Sequence, residues 1–195
     1  MRHWIFHPLI FYPLLLLIAA AAIFASLEPQ NWPRRPAPAP AQRQGASLMW
    51  TGAAFDAPDV EPQQHMTVMR NFWGQAQSLR IAVLANAPPP RPSERGARIL
   101  LTSADAATLN GRPLTVEINY NPLPINAASG LALAVEGQTA IVWQSKNAPS
   151  PPEGPLKYEL PAQIAPQAIG LRALGADNHE ATGLEITRIR ITPHP

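Results

Sequence analysis

The first pattern in the chain is an uncharged apolar run at residues 8–27, PLIFYPLLLLIAAAAIFASL. At about 1.5 Å of rise per residue, a helix of this length matches the roughly 30 Å hydrocarbon core of a bilayer. Pro8 and Pro13 lie inside the run, and membrane helices tolerate proline better than soluble ones do. The pattern predicts one transmembrane anchor helix, with the lipid bilayer as a partner through residues 8–27.

A cleaved secretory signal is the alternative for this segment, because it also begins with a basic residue and continues into an apolar core. The run exceeds the roughly 7–15 apolar residues usual for such signals. Cleavage after Ala25 would also place the bulky Ile23 where a small residue is preferred. We expect an uncleaved anchor with its N-terminus in the cytoplasm and the C-terminal domain periplasmic or extracellular, since a short tail normally stays inside.

Beyond the apolar run the pattern changes twice. Within residues 28–46, EPQNWPRRPAPAPAQRQGA, proline alternates with alanine at 36–41, which favours an extended polyproline II spacer. From residue 47 onward, short apolar runs alternate with turn residues. The sequence therefore predicts three regions: a cytoplasmic tail and anchor at 1–27, a linker at 28–46 and a folded domain at 47–195.

Period-two alternation predicts the strands of that domain, because successive side chains of a strand point to opposite faces. The clearest example, residues 114–120, follows the Asn110-Gly111 turn signal. Similar runs predict strands at 66–68, 79–83, 99–101, 131–135, 140–143, 158–160, 169–173 and 184–191. In the last run the apolar phase slips by one residue between Ile186 and Ile189, which indicates a β-bulge.

Nine or ten short strands without a long helical pattern predict an all-β sandwich or barrel. Residues 104–109 are compatible with a helical turn at most. The region is long enough to bury one real core. No internal repeat of propeller or solenoid period is present.

Composition narrows the classes of partner and chemistry. The chain has a formal net charge of +2 at neutral pH, but residues 47–195 alone carry slightly more acidic than basic residues. A nearly neutral domain argues against nucleic acid as a partner, since that needs a clustered positive face. The absence of cysteine excludes disulfides, thiol catalysis and zinc–thiolate sites.

The succession ARILLTSADAATLNGRPLTVEINY, LALAVEGQTAIVWQ, YELPAQ and IGLRALGADNHEATGLEITRIRITP resembles jelly-roll β-sandwiches of the carbohydrate-binding-module and galactose-binding-like type. The resemblance covers roughly residues 47–193, and its most specific part is the closing strand. It implies an antiparallel jelly-roll β-sandwich on the N-terminal anchor and, by analogy, glycan binding. Family members often hold a structural calcium, but no specific ligand set can be matched here, so no metal or other cofactor is predicted.

Sugar recognition needs aromatic faces and planar polar groups that bond hydroxyls. The predicted ligand-binding residues are Trp73, Trp143, Arg172, Asp177 and Asn178. Trp73 stands beside a glycine and outside an obvious strand, which favours exposure. The remaining aromatic and polar candidates are Trp50, Phe72, Tyr120, Tyr158 and Asn119. Tyr120 and Tyr158 are in phase with apolar positions, so we expect both in the core.

Residues 177–180, DNHE, form the densest polar cluster, and an ordinary turn is the simpler interpretation of it. No catalytic serine, zinc-protease, phosphate-loop or dinucleotide motif is present. We therefore predict a membrane-anchored, non-catalytic module that binds a cell-envelope polysaccharide or glycan. The alternative is an assembly subunit that joins another envelope protein through the sandwich surface or the anchor helix. A small hydrolase with two facing carboxylates is a third, less favoured possibility.

Overall fold

The computed structural model describes residues 8–26, 40–56, 58–60, 64–84, 87–88, 91–138, 140–175 and 181–195. The chain divides into two compact units, Met1–Arg34 and Arg35–Pro195. Most of the predicted linker, like residues 177–180, lies outside the described residues.

The described part of the first unit is helix α1 (Pro8–Ser26), which carries no charged residue and has Pro13 in its interior. Near its C-terminal end, the hydroxyl of Ser26 donates to the carbonyl of Ile23 at 2.7 Å. No helix within the described ranges combines the length and the apolar character needed to cross a bilayer.

Strands dominate the second unit. Its described residues form β1 (Gln42–Gln44), β2 (Ser47–Trp50), β3 (Pro58–Val60), β4 (Gln64–Arg70), β5 (Ala76–Val83), β6 (Ala97–Leu100), β7 (Leu114–Pro122), β8 (Gly130–Glu136), β9 (Gln144–Asn147), β10 (Leu156–Leu160), β11 (Ala168–Leu174) and β12 (Thr182–Pro193). A 3-10 helix spans Gly52–Phe55, and helix α2 spans Ser103–Leu109.

The strands form two antiparallel sheets, as an all-β sandwich requires. In the seven-stranded large sheet, one edge of β12 pairs with β7, and β7 pairs with β10. On the other edge of β12, residues 182–186 pair with β5 and residues 189–191 pair with β2. Strand β4 pairs with β5, and β1 pairs with β2. The five-stranded small sheet has the order β3-β6-β11-β8-β9.

Alternating burial within the strands builds the core between these sheets. Leu114, Val116 and Ile118 of β7 are buried, whereas the residues between them are partly exposed. Strand β10 alternates in the same way, with Leu156, Tyr158 and Leu160 buried. The inward side chains of both sheets belong to one hydrophobic cluster, so the burial of one face per strand accounts for the sandwich.

The predicted bulge in the last strand is confirmed. The register of β12 against β7 shifts between Ile186 and Arg188, and the hydroxyl of Thr187 donates to the carbonyl of Asn119 at 3.3 Å. The extra residue keeps the apolar side chains inward on both sides of the shift. It also marks the point along β12 where the partner strand changes from β5 to β2.

Three local features differ from the sequence-based expectation. Residues 140–143 do not form a strand, and β9 begins directly after them, at Gln144. The turn at 104–109 is a full helix, α2, because the hydroxyl of Thr102 caps it by accepting from the backbone N–H of Asp105 at 3.2 Å. Strand β1 already pairs at Gln42–Gln44, so the large sheet begins within the segment 28–46.

Candidate ligand-binding site

The turn between β4 and β5, residues 71–75, is built around the side chain of Asn71. Its Oδ1 accepts hydrogen bonds from the backbone N–H groups of Trp73 at 3.0 Å and Gln75 at 2.9 Å. The backbone N–H of Gly74 donates to the carbonyl of Asn71 at 2.9 Å, and Gly74 has φ +76°. Asparagine closes such turns because its side chain imitates a backbone acceptor, and glycine occupies the left-handed position without strain.

Arg70 fixes the base of this turn. Its guanidinium donates from Nη1 to the carbonyl of Gly74 at 2.9 Å, and its Nη2 forms an ion pair with Asp56, directly after the 3-10 helix. The Arg70 side chain is nearly buried. Hydrogen bonds to the Asn71 side chain and from the Arg70 side chain therefore stabilise the conformation of the turn.

Phe72 and Trp73 project from the turn into solvent. Phe72 is 89% exposed and Trp73 is 80% exposed. Their rings contact each other edge to face, with centroids 5.2 Å apart and planes at 82°. Burying such a side chain is worth about 1.5–3 kcal/mol, so a rigid turn that leaves two of them in water is a candidate contact surface. We call residues 71–75 the aromatic turn.

Trp143 and Arg172 lie elsewhere, on the face of the small sheet that points away from the core. The structure brings these two residues together through Glu94. The indole Nε1 of Trp143 donates to the Glu94 carbonyl at 3.2 Å, and Arg172 forms an ion pair with the Glu94 carboxylate. Arg172 also donates to the carbonyl of Pro88 and is only 2% exposed. Its guanidinium is thus occupied by the chain itself.

Small residues under the Trp143 ring explain why residues 140–143 do not form the predicted strand. A Cβ added at Gly170 would lie 3.1 Å from Cη2 of the Trp143 ring, and one added at Gly96 would lie 2.9 Å from it. Ala132 and Ala134, on the neighbouring strand, are also buried. The half-buried indole occupies the space that larger side chains would fill, and residues 140–143 follow it rather than pairing with β8.

A second ion-pair system lies on the same face. Glu136, at the end of β8, is 9% exposed, and its carboxylate contacts Nε of Arg98 at 2.7 Å and Nε of Arg95 at 3.5 Å. Buried charges are tolerated when they are paired in this way. On this face Glu94, Glu136 and Arg172 are therefore largely buried and paired within the chain.

The expectation that Tyr120 and Tyr158 belong to the core is confirmed, and Trp50 is buried there too. The hydroxyl of Tyr158 donates to the carbonyl of Leu131 at 2.7 Å, and that of Tyr120 donates to the carbonyl of Pro149 at 2.7 Å. Burial, and to a lesser extent Tyr120, raises the pKa of Tyr158. Burial also raises the pKa of Tyr120, with a smaller contribution from the negative charge of Glu153.

Of the other polar candidates, only Asn119 lies among the described residues. Asn119 accepts from Nη2 of Arg188 at 3.1 Å on the large sheet. Asp177 and Asn178 lie outside the described residues. Within the described residues, no three His, Cys, Asp or Glu side chains come together as metal ligands do.

Sequence reasoning singled out Trp73 but gave Phe72 less weight, and it did not single out Asn71 or Glu94. The sequence does contain a usable signal for Phe72 and Asn71. An Asn-aromatic-aromatic-Gly sequence between two alternating runs combines turn formers with large apolar side chains, which a turn cannot easily bury. Glu94 gave no such signal, because its partners come from distant strands.

No family model matches the chain, and no curated protein matches it. Among solved structures, the chain is similar to the CBM22-1 xylan-binding domain of Paenibacillus barcinonensis Xyn10C, at 12% sequence identity and a TM-score of 0.40. The alignment covers 71% of this chain and 86% of that one. A likeness of this strength transfers no function, so the function has to be argued from the site.

Proposed function

We propose that this chain is a non-catalytic binding module that holds a cell-envelope polysaccharide or glycan on Phe72 and Trp73 of the aromatic turn. The observation that carries the proposal is the exposure of both rings on a turn fixed by Asn71 and Arg70. Aromatic faces stack on the C–H surfaces of sugars, and a ring that is already in place loses little entropy on binding.

The two other functions have less support among the described residues. An assembly subunit would present a contiguous apolar patch, but the other exposed apolar side chains of the sandwich, such as Ile125, Val142 and Ile164, lie on separate loops. A hydrolase would need two carboxylates able to exchange protons. Glu94 and Glu136 are instead both paired with arginines.

The strand order supports a jelly-roll assignment for the sandwich. From β5 to β12 the chain passes from one sheet to the other at every connection except the β8–β9 hairpin. The resulting orders, β5-β12-β7-β10 and β6-β11-β8-β9, place the first and last of these strands side by side. Two Greek keys wound into two sheets give this arrangement.

Attachment to a membrane through residues 8–27 is also part of the proposal. Its support is the uncharged apolar sequence of that segment, since no helix within the described ranges meets the requirements for a span. The N-terminus would then be cytoplasmic, and the sandwich would lie in the periplasm or outside the cell. Fractionation of cells tests this part separately.

The glycan proposal is tested with the full chain in mild detergent, by affinity electrophoresis against neutral and acidic soluble polysaccharides and by pull-down with peptidoglycan. We expect Phe72→Ala and Trp73→Ala each to weaken binding about fivefold to tenfold, since an aromatic contact contributes about 1 kcal/mol beyond its buried area. Ile125→Ala is the matched control, because Ile125 is 77% exposed on another loop. Binding to no glycan, or full binding by both aromatic variants, would refute the proposal. Trp73-dependent binding to lipid vesicles alone would point to a bilayer surface instead.

A further inference from the structure

We infer that the aromatic turn selects a single hydrated polysaccharide chain and discriminates against the flat face of a crystalline polysaccharide. This inference rests on the proposed glycan-binding function. It concerns which physical form of glycan the two rings can hold.

The rings of Phe72 and Trp73 are nearly perpendicular to each other. Stacking requires the mean plane of a sugar to lie parallel to an aromatic face. The planes of Phe72 and Trp73 meet at 82°, so no single flat surface is parallel to both rings. On a crystalline face, where the sugar rings lie in parallel planes, only one of the two aromatic rings can stack, and the other meets the surface edge-on.

A free chain meets the pair differently. Its glycosidic linkages can rotate, so neighbouring sugar units can turn their faces in different directions. The ring centroids are 5.2 Å apart, so the two rings can contact the same sugar unit or neighbouring units of one chain. One unit then stacks on Phe72 while the next stacks on Trp73, and both aromatic contacts are made.

The turn fixes the backbone on which the two rings meet edge to face. Edge-to-face packing is a preferred arrangement of aromatic pairs, and the hydrogen bonds from Trp73 and Gln75 to the Asn71 side chain fix the backbone that carries both rings. Asn71 is therefore a positioning residue, because its side chain acts on the ligand through the geometry of Phe72 and Trp73.

The turn also indicates that the recognised sugars are neutral. Residues 71–75 carry no charge. The adjacent cation, Arg70, is nearly buried and is paired with Asp56. The Nδ2 of Asn71 donates to Oε1 of Gln75 at 2.9 Å, so stacking rather than charge is the main contact that the turn offers.

The test compares two physical forms of the same neutral polymers. Binding of the full chain in detergent is measured against soluble cello- and chito-oligosaccharides and against microcrystalline cellulose and chitin. We expect about fivefold to tenfold tighter binding of the soluble form of whichever polymer is recognised, because the crystalline form loses one aromatic contact, and a loss of the same size in Trp73→Ala. Asn71→Ala should lower this preference at least fivefold, whereas Asn71→Asp, which keeps the Oδ1 acceptor, should largely retain it.

The outcomes separate the inference from the function on which it rests. Trp73-dependent binding of a crystalline polymer that equals or exceeds binding of its soluble form overturns the inference and leaves glycan binding intact. Binding of neither form, together with no binding to the soluble polysaccharide panel, removes the proposed function as well. Thermal melting of Asn71→Ala checks its folding, and Phe72→Ala tests the two-ring geometry independently, because it should abolish the preference for soluble chains.

Discussion

Trp143 and Trp73 show how single residues with the same side chain take opposite positions in this sandwich. The ring of Trp143 packs over Gly170 and Gly96 and donates to Glu94, so its surroundings come from three separate segments of the chain. Trp73 stands on a turn held by the side chain of its near neighbour, Asn71. The first position depends on distant glycines, and the second depends on a local hydrogen-bonding pattern.

Tyr158 supplies a prediction at the same scale. Its folded-state pKa is raised above the ordinary value of about 10 by burial. Below about pH 10 the tyrosine is neutral in both states and its full contribution to stability is present. As the pH rises above about 10, the unfolded chain ionises first, so the free energy of unfolding falls.

We therefore expect a loss of stability between about pH 10 and the higher folded-state pKa, measured by urea denaturation at several pH values. Tyr158→Phe should cost about 1 kcal/mol at neutral pH, through the lost bond to Leu131, and should flatten the alkaline decline. An unchanged alkaline slope in this variant would assign the decline to another group.

At the scale of elements, β12 organises the large sheet, and its bulge lets one strand serve two partners. Tyr120 and Asn119 are consecutive on β7, yet they face Ile186 and Arg188, which are separated by Thr187. The bulged residue is therefore extra with respect to β7. The apolar residues on either side of it, Ile186 and Ile189, are both fully buried.

Deleting one residue from β12 tests this reading of the bulge. Removal of Thr187 restores regular alternation and keeps Ile186, Ile189 and Ile191 inward, so we expect a folded protein with a modest loss of stability. Removal of Arg190, beyond the bulge, turns Ile191 outward and should cost at least about 2 kcal/mol. Thermal melting of the two deletions compares them directly, and equal losses would contradict the assignment of Thr187 as the extra residue.

At the scale of the whole chain, a sandwich with its own continuous core follows a separate helical unit. Tyr120, Tyr158, the bulge and the aromatic turn all lie in the second unit. A chain that begins near residue 40 retains every described strand of that unit, β1 included. It should therefore keep the fold without α1.

We expect the N-terminal segment to attach the full chain to membranes. The full chain should sediment with membranes and resist carbonate extraction, whereas residues 40–195 should be recovered in the soluble fraction. Substituting Leu15 and Leu16 by arginine in the full chain should release it as well, because charge within an apolar segment opposes membrane insertion. A full chain that carbonate releases would contradict attachment through residues 8–27.

Features that depend on neighbouring residues can be predicted from the amino-acid pattern. The alternation of residues 114–120 predicts β7, the phase slip near Thr187 predicts the bulge, and the phase of Tyr158 predicts its burial. These predictions succeed because a strand with one buried face leaves a period-two signal along the chain itself. The exposure of Trp73 was suggested by its adjacent glycine for a similar local reason.

Features that require residues from distant strands become evident in the folded molecule. Residues 140–143 are apolar enough to form a buried strand. They do not pair as one, because the Trp143 ring packs over Gly170 and its indole N–H donates to the carbonyl of Glu94. Arg172 looked like a surface ligand residue, yet Glu94 pairs with it below the surface. The order of strands in the two sheets was likewise set by long-range pairing. Local periodicity shows which face of a strand is apolar. The element that covers that face comes from a distant part of the chain, so its identity depends on long-range packing.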